Sequence, residues 1–146
     1  MENRNKRMKK GFTMVELMAM LIIIGLLATV VVTKVANQID KAKITTTKAN
    51  LKMLSAAVNA FRMDTGVLPT EDEGLTVLIE EPQGVTGYQQ GGYLETTEIP
   101  VDGWGNEFYY ELSPESGKAF VIISFGADGQ EGGEDNDKDL YSTDAK

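Results

Sequence analysis

The chain of 146 residues contains no cysteine and no histidine. The first absence excludes a disulfide framework and thiolate metal sites. The second excludes imidazole ligation, and together they remove every nucleophilic triad built on His or Cys. Proline is scarce, with four in the chain, and neither Pro nor Gly occurs between Val32 and Gly66. That interval therefore lacks the usual helix breakers. Positive charge is scarce beyond the first eleven residues. Arg4, Lys6, Arg7, Lys9 and Lys10 stand there against Glu2, whereas the remainder holds 9 Lys+Arg against 21 Asp+Glu. An acidic body argues against nucleic acid as a partner, because phosphate neutralisation needs a basic face. Nothing repeats at a fixed period, so one modest domain with an appendage is expected.

What is present begins with an apolar run. Phe12–Val32 comprises 21 residues whose one charge is Glu16. As a helix it would span about 30 Å at about 1.5 Å per residue, enough to cross a bilayer. The run exceeds the apolar core of a cleaved signal peptide and no clear A-x-A-like site follows it. The basic flank places the N-terminus in the cytoplasm and the rest outside. The expected division is 1–11 as a leader, 12–34 as the membrane half of a helix, and 35–146 as a globular domain.

Leu51, Leu54, Val58 and Phe61 recur at three and four residues and draw one stripe on a helix; Val35, Ile39 and Ile44 extend it less regularly. One long helix is predicted from Phe12 to about Asp64, weakest at Thr45–Thr47, where β-branched side chains lose freedom. Gly66 and Pro69 end it. Thr70 and Glu73 then have the spacing of a capping box opening a short helix. Gly84–Gly92 is a Gly-rich loop. Phe108–Leu112 and Lys118–Phe125, separated by the turn-forming Ser113–Gly117, predict an antiparallel hairpin. From Gly126 the chain turns to Gly and acid and stays polar to Lys146.

Glu16 is costly in a membrane segment: a carboxylate near the middle of a lone membrane helix costs about 3 kcal/mol or more unless it faces a partner or a cavity, or stays wet at the headgroups. Its surroundings, Lys9-Lys10-Gly11-Phe12-Thr13-Met14-Val15-Glu16 followed by apolar residues, resemble the class III signal of type IV pilins and pseudopilins. The resemblance implies cleavage by an inner-membrane aspartic peptidase between Gly11 and Phe12, and methylation of the new Phe12 amine. Glu16 would then offset the α-amine charge of a neighbouring subunit during assembly. A desolvated carboxylate is tolerable if an ammonium meets it.

The stretch Ser124–Asp139, "SFGADGQEGGEDNDKD", carries six carboxylates against Lys138, with glycines at 126, 129, 132 and 133. Ca2+ takes about six to eight oxygens, and glycines let a loop wrap around it. A solvated acidic tail is the other possibility. Asp135, Asp137 and Asp139 alternate as in an EF-hand, but Leu140 stands where that loop needs Gly, which excludes it. The pattern resembles the calcium loop of the major pseudopilins of type II secretion. That implies Ca2+ held by Asp128, Asp135 and Asn136, with Asp137, Ser124, Gln130 and backbone carbonyls completing the shell. Asn136 departs from the usual Asp and removes one charge.

"LPTEDEGL" (Leu68–Leu75) and "DGWGNEFYY" (Asp102–Tyr110) resemble two further motifs of that family, with Leu68 for Tyr and Gly103 for Pro. Alone they are turn and cap residues with a packed Trp104. One further departure is Thr33, where major pseudopilins commonly have Pro, and it predicts a more continuous helix. The implied fold is α+β, a long N-terminal helix packed on a small antiparallel sheet domain with a C-terminal calcium loop. The implied role is a non-enzymatic pseudopilus subunit: a helical homopolymer on the bacterial inner membrane with its domain in the periplasm, driving export of folded proteins. Its partners would be minor pseudopilins, an assembly platform with its ATPase, and the prepilin peptidase. A type IV or competence pilin shares the first half, but many close their C-terminal region with a disulfide that this chain cannot form. A membrane-anchored calcium-binding adhesin or enzyme is a second alternative, although no acid–base pair stands out.

Overall fold

A computed structural model describes residues 11–144. The expected leader up to Lys10, residues 145–146 and the side chains of residues 30–34 lie outside the described residues. Contacts divide the chain into two compact units, Met1–Gln38 and Ile39–Lys146.

One helix, α1, covers Met14–Thr65. Its backbone is helical through Thr33 and through Thr45–Thr47, so neither the absent Pro site nor the threonine run interrupts it. The threonines are accommodated by bonding to the preceding turn: Thr45 Oγ1 donates to the Lys41 carbonyl at 2.8 Å and Thr47 Oγ1 to that of Lys43 at 2.9 Å. Gly66 ends the helix with φ 76°, its N–H donating to the Arg62 carbonyl.

The predicted capping box forms: Thr70 Oγ1 donates to Glu73 Oε2 at 2.8 Å and accepts the Glu73 N–H at 3.3 Å. The bonds close the turn over residues 71–73, and the short helix that follows, Gly74–Leu78, is of the tighter 3-10 kind with Glu73, not Thr70, at its N-cap and no side-chain cap bond. Strands β1 (Tyr109–Leu112) and β2 (Phe120–Ser124) make the expected hairpin, each shorter than its sequence run, with Leu112 opposite Phe120. A third strand, β3 (Leu140–Tyr141), pairs antiparallel with β2 and gives the order β1-β2-β3. The expectation of a polar tail to Lys146 fails here: Leu140 and Tyr141 supply the apolar pair that closes the sheet.

The core lies in the second unit. Leu51, Leu54, Val58 and Phe61 of α1 are buried with Leu75, Val77, Leu78, Tyr110 and Ile122, whereas Val35 and Ile39, expected to extend the stripe, are exposed and Ile44 is half-buried. Phe61, Tyr88 and Tyr93 form a cluster of edge-on rings with centroids 5.3–6.2 Å apart. The cluster orders the Gly-rich loop, which crosses the end of α1 at Gly87, where a Cβ would collide with the Asp64 carbonyl.

Candidate functional site

The first unit holds one candidate site, the start of α1. Thr13 caps it: its hydroxyl accepts the Glu16 N–H at 3.2 Å and its carbonyl accepts the Leu17 N–H at 3.2 Å. Glu16 therefore stands in the first turn rather than near the middle of an apolar helix. There its charge favourably meets the positive end of the helix dipole, worth about 0.3–1 kcal/mol at an exposed position. The Thr13-x-x-Glu16 spacing carried this signal, because it is the spacing of a capping box. Gly11, Phe12 and Glu16 are all exposed. Around them the apolar side chains face outward on every side: Phe12 is 68% exposed, Met14 82%, Leu21 70% and Leu26 66%. Among the described residues no helix is long and apolar enough to cross a membrane; the expected span Phe12–Val32 includes residues 30–32, whose side chains lie outside the described residues.

The second unit holds the acidic loop, and its foundation is Asp102. This carboxylate is buried; Oδ1 accepts the N–H groups of Trp104 (2.9 Å) and Asn106 (2.8 Å), and Oδ2 accepts the Ser124 hydroxyl at 2.7 Å. Asn106 Nδ2 donates in turn to the Gly126 carbonyl at 2.8 Å. The "DGWGN" turn thus clamps the root of the loop, and its buried anchor is Asp102, while Trp104 is half-buried. Gly103, where the motif it resembles has Pro, carries a further contact. Its N–H, which proline lacks, donates to Thr47 Oγ1 at 2.8 Å, and a Cβ on it would run into the Lys43 carbonyl.

Of the expected ligands, Asp128, Gln130 and Asp135 are exposed, and Asn136 and Asp137 are half-buried. Asp128 Oδ1 accepts the Gln130 N–H at 3.1 Å, and the Ala127 N–H donates to the Asn136 carbonyl at 2.9 Å, which brings both arms of the loop together. Gly126 and Gly133 close this fold, each with the backbone of Asp137 in the space a Cβ would take. Ser124 differs from expectation: its hydroxyl is engaged by Asp102 and also accepts the Gly126 N–H at 3.4 Å. Among the described residues no three carboxylates cluster closely enough to hold a metal by themselves.

Asp139 is the residue that spacing alone missed. It is 8% exposed; Oδ2 accepts the Gly132 N–H at 3.0 Å and the Tyr141 hydroxyl at 3.3 Å, while Oδ1 is buried with no partner. A buried carboxylate oxygen without a donor is costly unless a cation meets it. Burial, and then the Asp139 charge, push the Tyr141 phenol above its ordinary range. The position just before the lone apolar pair Leu140–Tyr141 was the available signal, because β3 pins Asp139 where the loop re-enters the sheet.

Comparison with known proteins gives the same answer from three directions. The family model described as "Type II secretion system (T2SS), protein G" matches residues 34–143. Type II secretion system core protein G of Pseudomonas aeruginosa is 38% identical over 95% of this chain and 98% of its own length; that of Vibrio cholerae is 36% identical over 92% and 93%. The crystal structure of the major pseudopilin from the type 2 secretion system of enterohaemorrhagic Escherichia coli is similar at a TM-score of 0.60 and 26% identity, covering 73% of this chain and 90% of that one. The chain belongs to the type II secretion system protein G family, that of the major pseudopilin.

Proposed function

We propose that this major pseudopilin, a structural subunit and no enzyme, works by polymerising through the apolar first part of α1 into a periplasmic pseudopilus that drives export of folded proteins. The observation that carries it is the start of α1, where exposed apolar side chains surround a single carboxylate. A helix apolar on all sides belongs in a bilayer or among other helices. The basic flank of residues 4–10 orients such a segment with the domain outside the cytoplasm. Cleavage after Gly11 creates an ammonium at Phe12, and Glu16 supplies the carboxylate to meet that of a neighbouring copy. The contact between copies is head-to-tail and does not close, as a filament requires. Minor pseudopilins, a platform with its ATPase, and the prepilin peptidase complete the proposed partners.

Binding of a Ca2+ ion at the C-terminal loop is part of the same proposal: Asp128, Asp135, Asn136, Asp137, Ser124 and Gln130, not gathered into a metal cluster among the described residues, would close on the ion with loop carbonyls, and the orphaned Asp139 oxygen is the observation that supports a cation there. Calcium there would supply charge neutralisation among the carboxylates and a tie between the two arms of the loop. Asp102, Asn106 and β3 hold the roots of those arms.

Mass spectrometry of the protein isolated from membranes tests the assembly role. The chain is expected to begin at Phe12 with a methylated amine, and Glu16→Ala is expected to be cleaved and inserted but to form no fibre. An intact leader, or fibres from Glu16→Ala, would overturn it.

A further inference from the structure

The charges of the second unit are sorted by element. Between Ile39 and Arg62 the helix carries Lys41, Lys43, Lys48, Lys52 and Arg62 against Asp40 alone. From Met63 onward the chain holds 3 Lys+Arg against 19 Asp+Glu. Spacings of seven, four and ten place Lys41, Lys48, Lys52 and Arg62 within an arc of about 80° on the helix, beside the buried stripe, over a length of about 30 Å. All four are exposed. Among the described residues none of them is ion-paired. The row ends in a cleft of about 300 Å³ whose lining includes Asn59, Arg62, Lys118 and Ser142 and no carboxylate. In so acidic a body, a row of unpaired cations leading to a cleft without carboxylates is a surface complementary to an anionic partner.

We propose that this basic row and the Arg62–Lys118 cleft are the face on which the acidic body of a second copy docks, its carboxylates entering the cleft. The inference rests on polymerisation as proposed above and adds what sets the register between domains. Charge complementarity selects this occupant: each copy carries both the basic row and a large excess of exposed anions, so one contact, repeated head to tail, neutralises both. Exposed pairs are weak singly and screened by salt, so the row acts collectively, on encounter and register more than on the stability of either domain.

The test uses fibres of the full chain grown from mixed light and heavy isotope-labelled subunits and coupled with a zero-length carbodiimide. Mixed-isotope links from Lys48 or Lys52 to carboxylates beyond Met63 are expected. Lys48→Glu with Lys52→Glu is expected to lower fibre yield about ten-fold or more, with Arg at both positions restoring it and the unfolding midpoint unmoved. Links confined to single copies, absence of mixed-isotope links together with binding of the parent but not the double Glu variant to phosphatidylglycerol vesicles, or parental fibre yield from the double Glu variant would overturn the inference. Should the unfolding midpoint of that variant fall, the links in unmutated fibres decide. No fibre from the unmutated chain would instead overturn polymerisation itself.

Discussion

Two stretches of one helix, Met14–Thr29 and Leu51–Phe61, share backbone conformation and differ in everything their side chains meet. In the first, large apolar residues are exposed on all faces; in the second, Leu51, Leu54, Val58 and Phe61 are fully or almost fully buried while Lys52 and the adjoining Arg62 face outward. The pattern of residues accounts for the difference. Polar residues on one side confine the second stretch to a single buried stripe, whereas the first has no polar side to show to water. Helical propensity is common to both, so it reveals little about function. The surface left without a partner in one copy is the one on which the proposed assembly depends.

The largest test of this contrast is a pair of truncations. Phe61→Ala removes the ring that packs against both Tyr88 and Tyr93, and the folded unit should lose about 3–5 kcal/mol. Ile23→Ala, with its side chain 57% exposed, should leave the unit's stability within about 0.5 kcal/mol. Denaturant unfolding of the full chain followed through Trp104 fluorescence reads both. Equal losses would erase the distinction between the two stretches.

The same contrast explains what was legible in the sequence. Helix α1, its buried stripe and the hairpin depend on local periodicity and turn chemistry, which spacing reveals, and the helix end fell within one residue of expectation. Asp139, β3 and the Gly103–Thr47 bond depend on chain segments that meet only in three dimensions: Gly103 lies 56 residues from Thr47. A two-residue strand has no period to detect. The role of Asp102 was concealed for the same reason, since its partner Ser124 lies 22 residues away. Glu16 stands where the sequence expects it, at the start of the helix, and the bond from its N–H to the Thr13 hydroxyl adds a local reason for the helix to begin there.

A smaller effect sharpens the comparison at the other end of the second unit. Calcium at about one hundred times its Kd should stabilise the folded unit by roughly 2.7 kcal/mol, and a chelator should reverse this. Asp139→Asn should abolish the response. Without calcium that variant should equal or exceed the parent in stability, because it removes a charge whose Oδ1 has no donor. The Met14–Thr29 stretch should keep the same helical signal throughout. An unchanged calcium response in Asp139→Asn would remove this residue from the site.

The smallest expected effect is alkaline. Tyr110 is 5% exposed, and its hydroxyl donates to the Pro69 carbonyl at 3.1 Å. Burial, and then the charge of Glu71, push its phenol up to about 12 from an ordinary 10.0. A raised value in the folded state means that the unfolded chain releases its proton first. Stability is therefore intact below about pH 10 and falls as pH rises toward 12, by roughly 2 kcal/mol from this group. Tyr88 and Tyr93 are also raised, chiefly by burial, so the measurement is the difference between the parent and Tyr110→Phe. That variant should lose about 1 kcal/mol at pH 8, where the Pro69 carbonyl loses its donor, yet decline less steeply above pH 10. No tyrosine lies between Phe12 and Thr29. The difference therefore reports the packed stretch and its sheet alone, and parallel declines of the two proteins would show that Tyr110 is not the group that titrates.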